Sequence, residues 1–237
     1  MADDWMMFYY AHPQPERFVD EVRRLAERGA MTNPAQSVAS ATFLSRVMAA
    51  NPSRVGPWLA ALDGLDAVSR QTLQIAAWMS DTDAGRAWLA SAPQFAGPAP
   101  DVLAAPINDA ALLDAFWAWY FATGDARPVR RIVSALEHMS DYGAADRFRQ
   151  SAQTDDDRRR AMNDAIFRAA SWSLGSLMQQ HPPLLALCEG LFETSDLSPT
   201  ERCALAITLQ KVAPSRWRVE IDPKTNQASI TRLDAPH

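Results

Sequence analysis

Residues 109–123 constrain this chain more than any other stretch. Leu112, Leu113, Phe116, Trp117, Trp119, Tyr120 and Phe121 leave that segment without a polar face. A helix that is apolar all round has to be enclosed by other elements, so several further helices must close over this one. Its unbroken apolar run, 115–122, is 8 residues long, where a membrane span takes about twenty. It therefore reads as a central core helix. The chain has 237 residues, 48% of them hydrophobic and 22% charged. At that length a globular fold buries roughly two thirds or more of its unfolded surface without disulfide or metal staples. The start Met1-Ala2-Asp3-Asp4-Trp5 has no basic region or small-residue cleavage site. A cytoplasmic protein with no membrane partner is the expectation.

The rest of the chain supplies the enclosing helices. Phe18, Val22 and Leu25 recur at helical spacing over 16–28, and Gly29 ends that pattern. A second helix is expected over 35–50, with Val38, Thr42 and Val47 near one stripe and Phe43 beside it; Asn51-Pro52 breaks it. Short helices follow over 52–62 and 66–80, the latter carrying Leu73, Ala76 and Ala77 with Trp78 at its edge. Asp81 or Thr82 is placed to cap a fifth helix with Trp88 and Leu89. Pro93, Pro98, Pro100 and Pro106 make 92–106 too proline-rich for any helix, so it is either a linker or a connection draped over the helices. Beyond the central helix, Val129, Ile132, Val133 and Leu136 mark the next one. A long helix spans 155–180, opening with Asp155-Asp156-Asp157 at the positive end of its dipole and followed by Arg158-Arg159-Arg160. Pro182-Pro183 opens a helix over 184–192, and 199–212 forms the last.

At the end the period changes from helical to alternating. Trp217, Val219 and Ile221 alternate with polar residues, 222–226 reads as a turn, and Ala228 and Ile230 resume the alternation, which predicts a β-hairpin lying with its apolar side on the helices. The aromatic start 5–10 has the composition of a third strand. The expected fold is thus mainly α: stacked antiparallel helix pairs, as in an α-solenoid or helical-repeat-like bundle, with a small C-terminal β-hairpin. As a single helical domain over 1–237, it would hold N-terminal helices in 1–92, a proline-rich connection in 93–107, C-terminal helices in 108–212 and the hairpin in 216–233.

Two segments echo one another. Phe121-Ala122-Thr123-Gly124-Asp125-Ala126-Arg127-Pro128 and Phe192-Glu193-Thr194-Ser195-Asp196-Leu197-Ser198-Pro199 share the pattern Phe-x-Thr-small-Asp-x-x-Pro. Physically this is a helix ending on an aromatic, a small residue that relaxes the chain, an Asp to cap the next helix and a Pro tolerated in its first turn. It reads as recurring turn chemistry, with a true repeat as the alternative. The signature positions of the common helical-repeat families are absent.

Charge and composition exclude several functions. The net charge is −5, and Lys211 and Lys224 are the only lysines, so no basic patch is expected for nucleic acid. Arginine in place of lysine, together with abundant alanine, fits a GC-rich bacterial source. The glycines are 9 in number and scattered singly, which leaves no phosphate-cradling loop. Cys188 and Cys203 read as small buried hydrophobes, with a disulfide or redox pair as the alternative; no metal or cofactor is expected. Glu137, His138 and Asp141 form the densest ligand-like cluster, a weak metal candidate that lacks the second set a facing helix would have to supply. Asp114, inside the apolar helix, is either a first-turn residue, a partner of Arg130 or Arg131, or a pocket acid. Among the 8 tryptophans most belong to core stripes. Trp119, Tyr120 and Trp172 are the aromatics to seek in a binding groove.

Without a catalytic motif, these features point to a non-enzymatic bacterial protein–protein interaction module of adaptor, chaperone-like or immunity type, whose acidic surface would suit a basic protein partner. The alternative is a small-molecule-binding or metal-dependent enzyme using Asp114 or the Glu137, His138, Asp141 cluster inside the helix stack.

Overall fold

The computed structural model describes residues 5–151, 154–193, 196–221 and 228–233, with 149–151 and 221 described by their backbone alone. The expected turn 222–226, the terminal His237, and Thr194 and Ser195 of the second echo copy lie outside those residues. The described chain is mainly helical with one two-stranded antiparallel sheet. It divides into two compact units. One combines 1–105 with 114–128, the other 106–113 with 129–237, so the division falls at the end of the proline-rich stretch and again inside two helices.

The first unit begins with α1 (Trp5–Phe8), where a strand was expected. The cause is burial of the Trp5 ring. The only sheet among the described residues is the C-terminal hairpin, and Trp5 instead sits edge-on to Phe43 and Tyr9, each at 5.2 Å, while its Nε1–H donates to the Gln14 carbonyl at 3.2 Å. A 3-10 turn, Pro15–Arg17, leads into α2 (Phe18–Glu27). Phe18 of α2 stacks on Trp58 at 4.2 Å. Gly29 ends α2 at φ +75°, a conformation that costs a side-chain-bearing residue strain. Helix α3 (Pro34–Ala50) is capped by Asn33, whose side chain accepts from the Ala35 N–H at 2.9 Å. Phe43, Leu44, Val47 and Met48 are buried, whereas Val38 is exposed, because the core stripe begins one turn later than the sequence suggested. Helix α4 spans Pro52–Ala61 and α5 spans Ala67–Ser80; α5 starts on Asp66, whose carboxylate accepts from the N–H of Val68 and Ser69. Helix α5 packs on α3, and the Thr72 hydroxyl donates to the Met31 carbonyl at 2.7 Å.

Thr82, rather than Asp81, caps α6 (Asp83–Trp88) by accepting from the Gly85 N–H at 3.1 Å. Gly85 is needed there for space. A Cβ at this position would lie 2.8 Å from the Ala77 carbonyl oxygen and 2.9 Å from Thr82 Oγ1. Gly85→Ala is accordingly expected to destabilise the protein by about 2 kcal/mol, read as a lower urea midpoint with an unchanged slope. In the proline-rich connection a 3-10 turn, Pro93–Phe95, is the only helical piece among the described residues, and the Trp78 indole N–H donates to the Gly97 carbonyl at 2.8 Å. The apolar helix α7 (Ala111–Thr123) follows, with Leu113, Phe116, Trp117, Tyr120 and Phe121 buried as its composition requires. Asp125 then accepts from the Arg127 N–H at 2.9 Å at the start of α8 (Ala126–Ser134).

In the second unit, α8 runs on into a 3-10 helix, Ala135–Asp141. Gly143, at φ +83°, turns the chain into α9 (Ala144–Ser151), a helix the sequence pattern did not reveal. The long α10 (Asp155–Gln180) matches its expected bounds and carries a capping box between Thr154 and Asp157. Helices α11 (Pro182–Glu193) and α12 (Pro199–Val212) complete the helical part. Strand β1 (Trp217–Ile221) pairs with β2 (Ala228–Arg232) in the register Trp217↔Arg232 and Val219↔Ile230. The hairpin is tied to the helices through Trp217, which is 1% exposed, and through the Val219 N–H, which donates to Gln210 Oε1 at 3.0 Å. The echo diverges in its second copy. There Ser198 caps α12 in a box with Glu201, and Asp196 is instead paired with Arg130 at 3.1 Å. Both cysteines are free thiols, and burial with the Glu189 charge beside it pushes Cys188 up to about 12, which leaves it inert as a nucleophile.

Candidate functional site

Helix α10 of the second unit divides into two faces. Ile166, Ala170, Leu174 and Met178, four residues apart, are all buried. Trp172 stands two residues from both Ala170 and Leu174, which at 100° per residue places it on the opposite side. It is 75% exposed. Beneath and beside it runs a groove of about 740 Å³ between α10 and α12, lined also by Met139 and Tyr142 from the 3-10 segment and the turn after it. The apolar wall consists of Phe167, Ile207 and Val212 with Ala204, and Gly175 approaches α12 closely enough that a Cβ there would touch Thr208 Cγ2 at 3.7 Å.

Tyr142 is 62% exposed, yet its ring is fixed. It lies edge-on to Phe167 at 5.9 Å, and the Arg168 guanidinium sits 4.9 Å from its centroid. Arg168 is held in turn by Asp164 at 2.9 Å and Asp146 at 2.6 Å, and the hydrogen bonds it donates to these carboxylates keep its guanidinium well above the ordinary range. Asp164 is fully buried. Desolvation raises its pKa, but the hydrogen bonds from Arg168 and from the backbone N–H of Ala145 and Gly143 prevail and leave it below the usual carboxylate value. This clasp, anchored on the buried Asp164, ties α9, Tyr142 and α10 together and so gives the groove a rigid wall. On the α12 side stands Lys211, exposed. The lining contains two cations, Arg168 and Lys211, and no carboxylate, histidine or cysteine.

No family model, curated protein or solved structure matches the chain.

The other candidates fall elsewhere. Tyr120 is 2% exposed and packs against Tyr10 at 5.1 Å, so it is a core residue. Trp119 is half-buried beneath Arg46, whose guanidinium lies 4.4 Å from the indole centroid and donates to the Met79 carbonyl. Asp114 is an exposed residue in the first turn of α7; partial desolvation still raises its pKa, and Arg130 turns to Asp196 and Glu201 instead. Glu137, His138 and Asp141 lie on the 3-10 segment, where Asp141 accepts from Asn163 Nδ2 at 2.8 Å and faces Arg160 at 3.7 Å. Asp141 thereby pins that segment to α10. Among the described residues no three His, Cys, Asp or Glu side chains gather as a metal site would require. Tyr142, Phe167, Arg168 and Lys211 were not legible as site residues, although the four-residue buried stripe of α10 does imply that Trp172 points away from the core.

Proposed function

We propose that this chain is a non-enzymatic protein–protein interaction module of a bacterium, built from packed helix pairs, and that the groove between α10 and α12 is its binding face. The exposure of Trp172 carries this reading. An indole is a costly group to leave in water and is the favoured central anchor of protein interfaces. Here it stands beside a second exposed aromatic, Tyr142, over an apolar floor. The polar groups lining the groove are hydroxyls, an amide and two cations, which suit recognition better than paired acid–base chemistry. The rigid clasp around Arg168 lowers the ordering cost of binding. No helix among the described residues is long and apolar enough to cross a membrane.

Alanine replacement at Trp172 and at Tyr142 tests this, with Val38 and Val68, exposed apolar residues of the first unit, as controls. The protein bound by the tagged wild-type chain in native extract is expected to be lost from the Trp172→Ala and Tyr142→Ala variants and kept by Val38→Ala and Val68→Ala. Equal retention by all four contradicts the reading.

A further inference from the structure

Resting on the reading that the groove is a binding face, we propose that it takes an amphipathic helix of a partner protein whose apolar edge is flanked by carboxylates, one of which pairs with Lys211. The trough lies between two helices, and small residues, Gly175, Ser171 and Ala204, line it; a third helix laid along such a trough brings its i, i+3, i+4 and i+7 side chains onto the floor. The charges then set polarity. The chain as a whole is acidic, at −5, yet the charged residues lining the groove are Arg168 and Lys211. Arg168 is committed to Asp164 and Asp146. Lys211 makes no ion pair with any described residue and is exposed, so its charge is the one a ligand meets. This reverses the preference that net charge alone suggested, a basic partner for an acidic surface.

Two synthetic amphipathic peptides of about 18 residues, long enough to be helical in water, decide the matter. They share one leucine-rich edge and differ only in carrying glutamates or lysines beside it. Binding to the full chain is followed by fluorescence polarisation at low and at high salt. The glutamate peptide is expected to bind at least about fivefold more tightly than the lysine peptide at low salt, and Lys211→Glu is expected to reverse that order. Trp172→Ala is expected to weaken both. Equal binding of the two peptides, still lost in Trp172→Ala, overturns the acidic preference and leaves the groove as a binding face. Binding that Trp172→Ala does not change, or binding of neither peptide, overturns both.

Discussion

Replacing Trp217 by alanine is expected to cost about 4 kcal/mol, in the range seen when a fully buried large aromatic is truncated. The ring is 1% exposed, lies edge-on to Phe192 at 4.7 Å, and its indole N–H donates to Glu189 Oε1 at 3.0 Å. Truncation removes the ring contacts and also strips one donor from Glu189, a carboxylate only 5% exposed that keeps Arg216 at 2.7 Å. A two-stranded hairpin has little stability of its own, so losing this anchor should release β1 and β2 from α12. Trp217→Phe separates the contributions: it keeps most of the apolar contact and is expected to cost about 1.5–3 kcal/mol for the lost hydrogen bond to a charged acceptor. Urea titration gives the total, and amide exchange at Val219 and Ile230 reports the hairpin. A loss under about 1 kcal/mol in Trp217→Ala would show that the hairpin is not held as described.

Asp164 is the second sensitive point. Its carboxylate has no exposed surface and serves Arg168, at 2.9 Å, and the Ala145 N–H, at 3.0 Å. Asp164→Ala leaves the start of α9 without its acceptor, and the expected cost is about 3 kcal/mol, toward the lower end for a broken buried pair because Arg168 remains partly open to water. The pH dependence follows from the lowered native pKa. The unfolded carboxyl, near about 3.9, takes up its proton first as pH falls, so between that value and the lower native one the unfolded state binds more protons. The stabilisation is complete above the unfolded value and is lost as pH falls through the native one. Asp164→Asn should therefore flatten the acid limb of the stability profile, while the wild type loses stability there. Parallel acid limbs in the two proteins would contradict this assignment.

The sequence made the helices legible wherever termination is local chemistry. Thr82, one of the two residues expected there, caps α6 by reaching a free N–H, and prolines at 52, 182 and 199 open helices as their fixed φ allows, whereas the cap of α12 falls to Ser198 and not to the expected Asp196. The long α10 and the hairpin strands were equally plain, since a sustained period needs no tertiary information. Elements fixed by distant partners were not. Helix α9 has only eight residues and depends on Asp164, and the aromatic start folds as α1 because Trp5 finds Phe43 and Tyr9 rather than a neighbouring strand. The site shows the same limit. Position 172 could be assigned to the outer face of α10 by counting from its buried stripe, whereas Tyr142 and Lys211 join it only through packing of the 3-10 segment and α12.

Site-specific photo-crosslinking shows whether a partner protein sits in the α10–α12 groove. A photoreactive residue is placed at Gln179, an exposed residue of the groove lining that leaves Trp172 intact, and, in separate samples, at Val38 and Val68, and each is irradiated in native extract. A single covalent adduct with another protein from position 179, absent from 38 and 68, is the expected result. Its crosslinked segment should map to an amphipathic helix. Equal labelling from the three positions, or an adduct formed only from 38 or 68, would contradict the account.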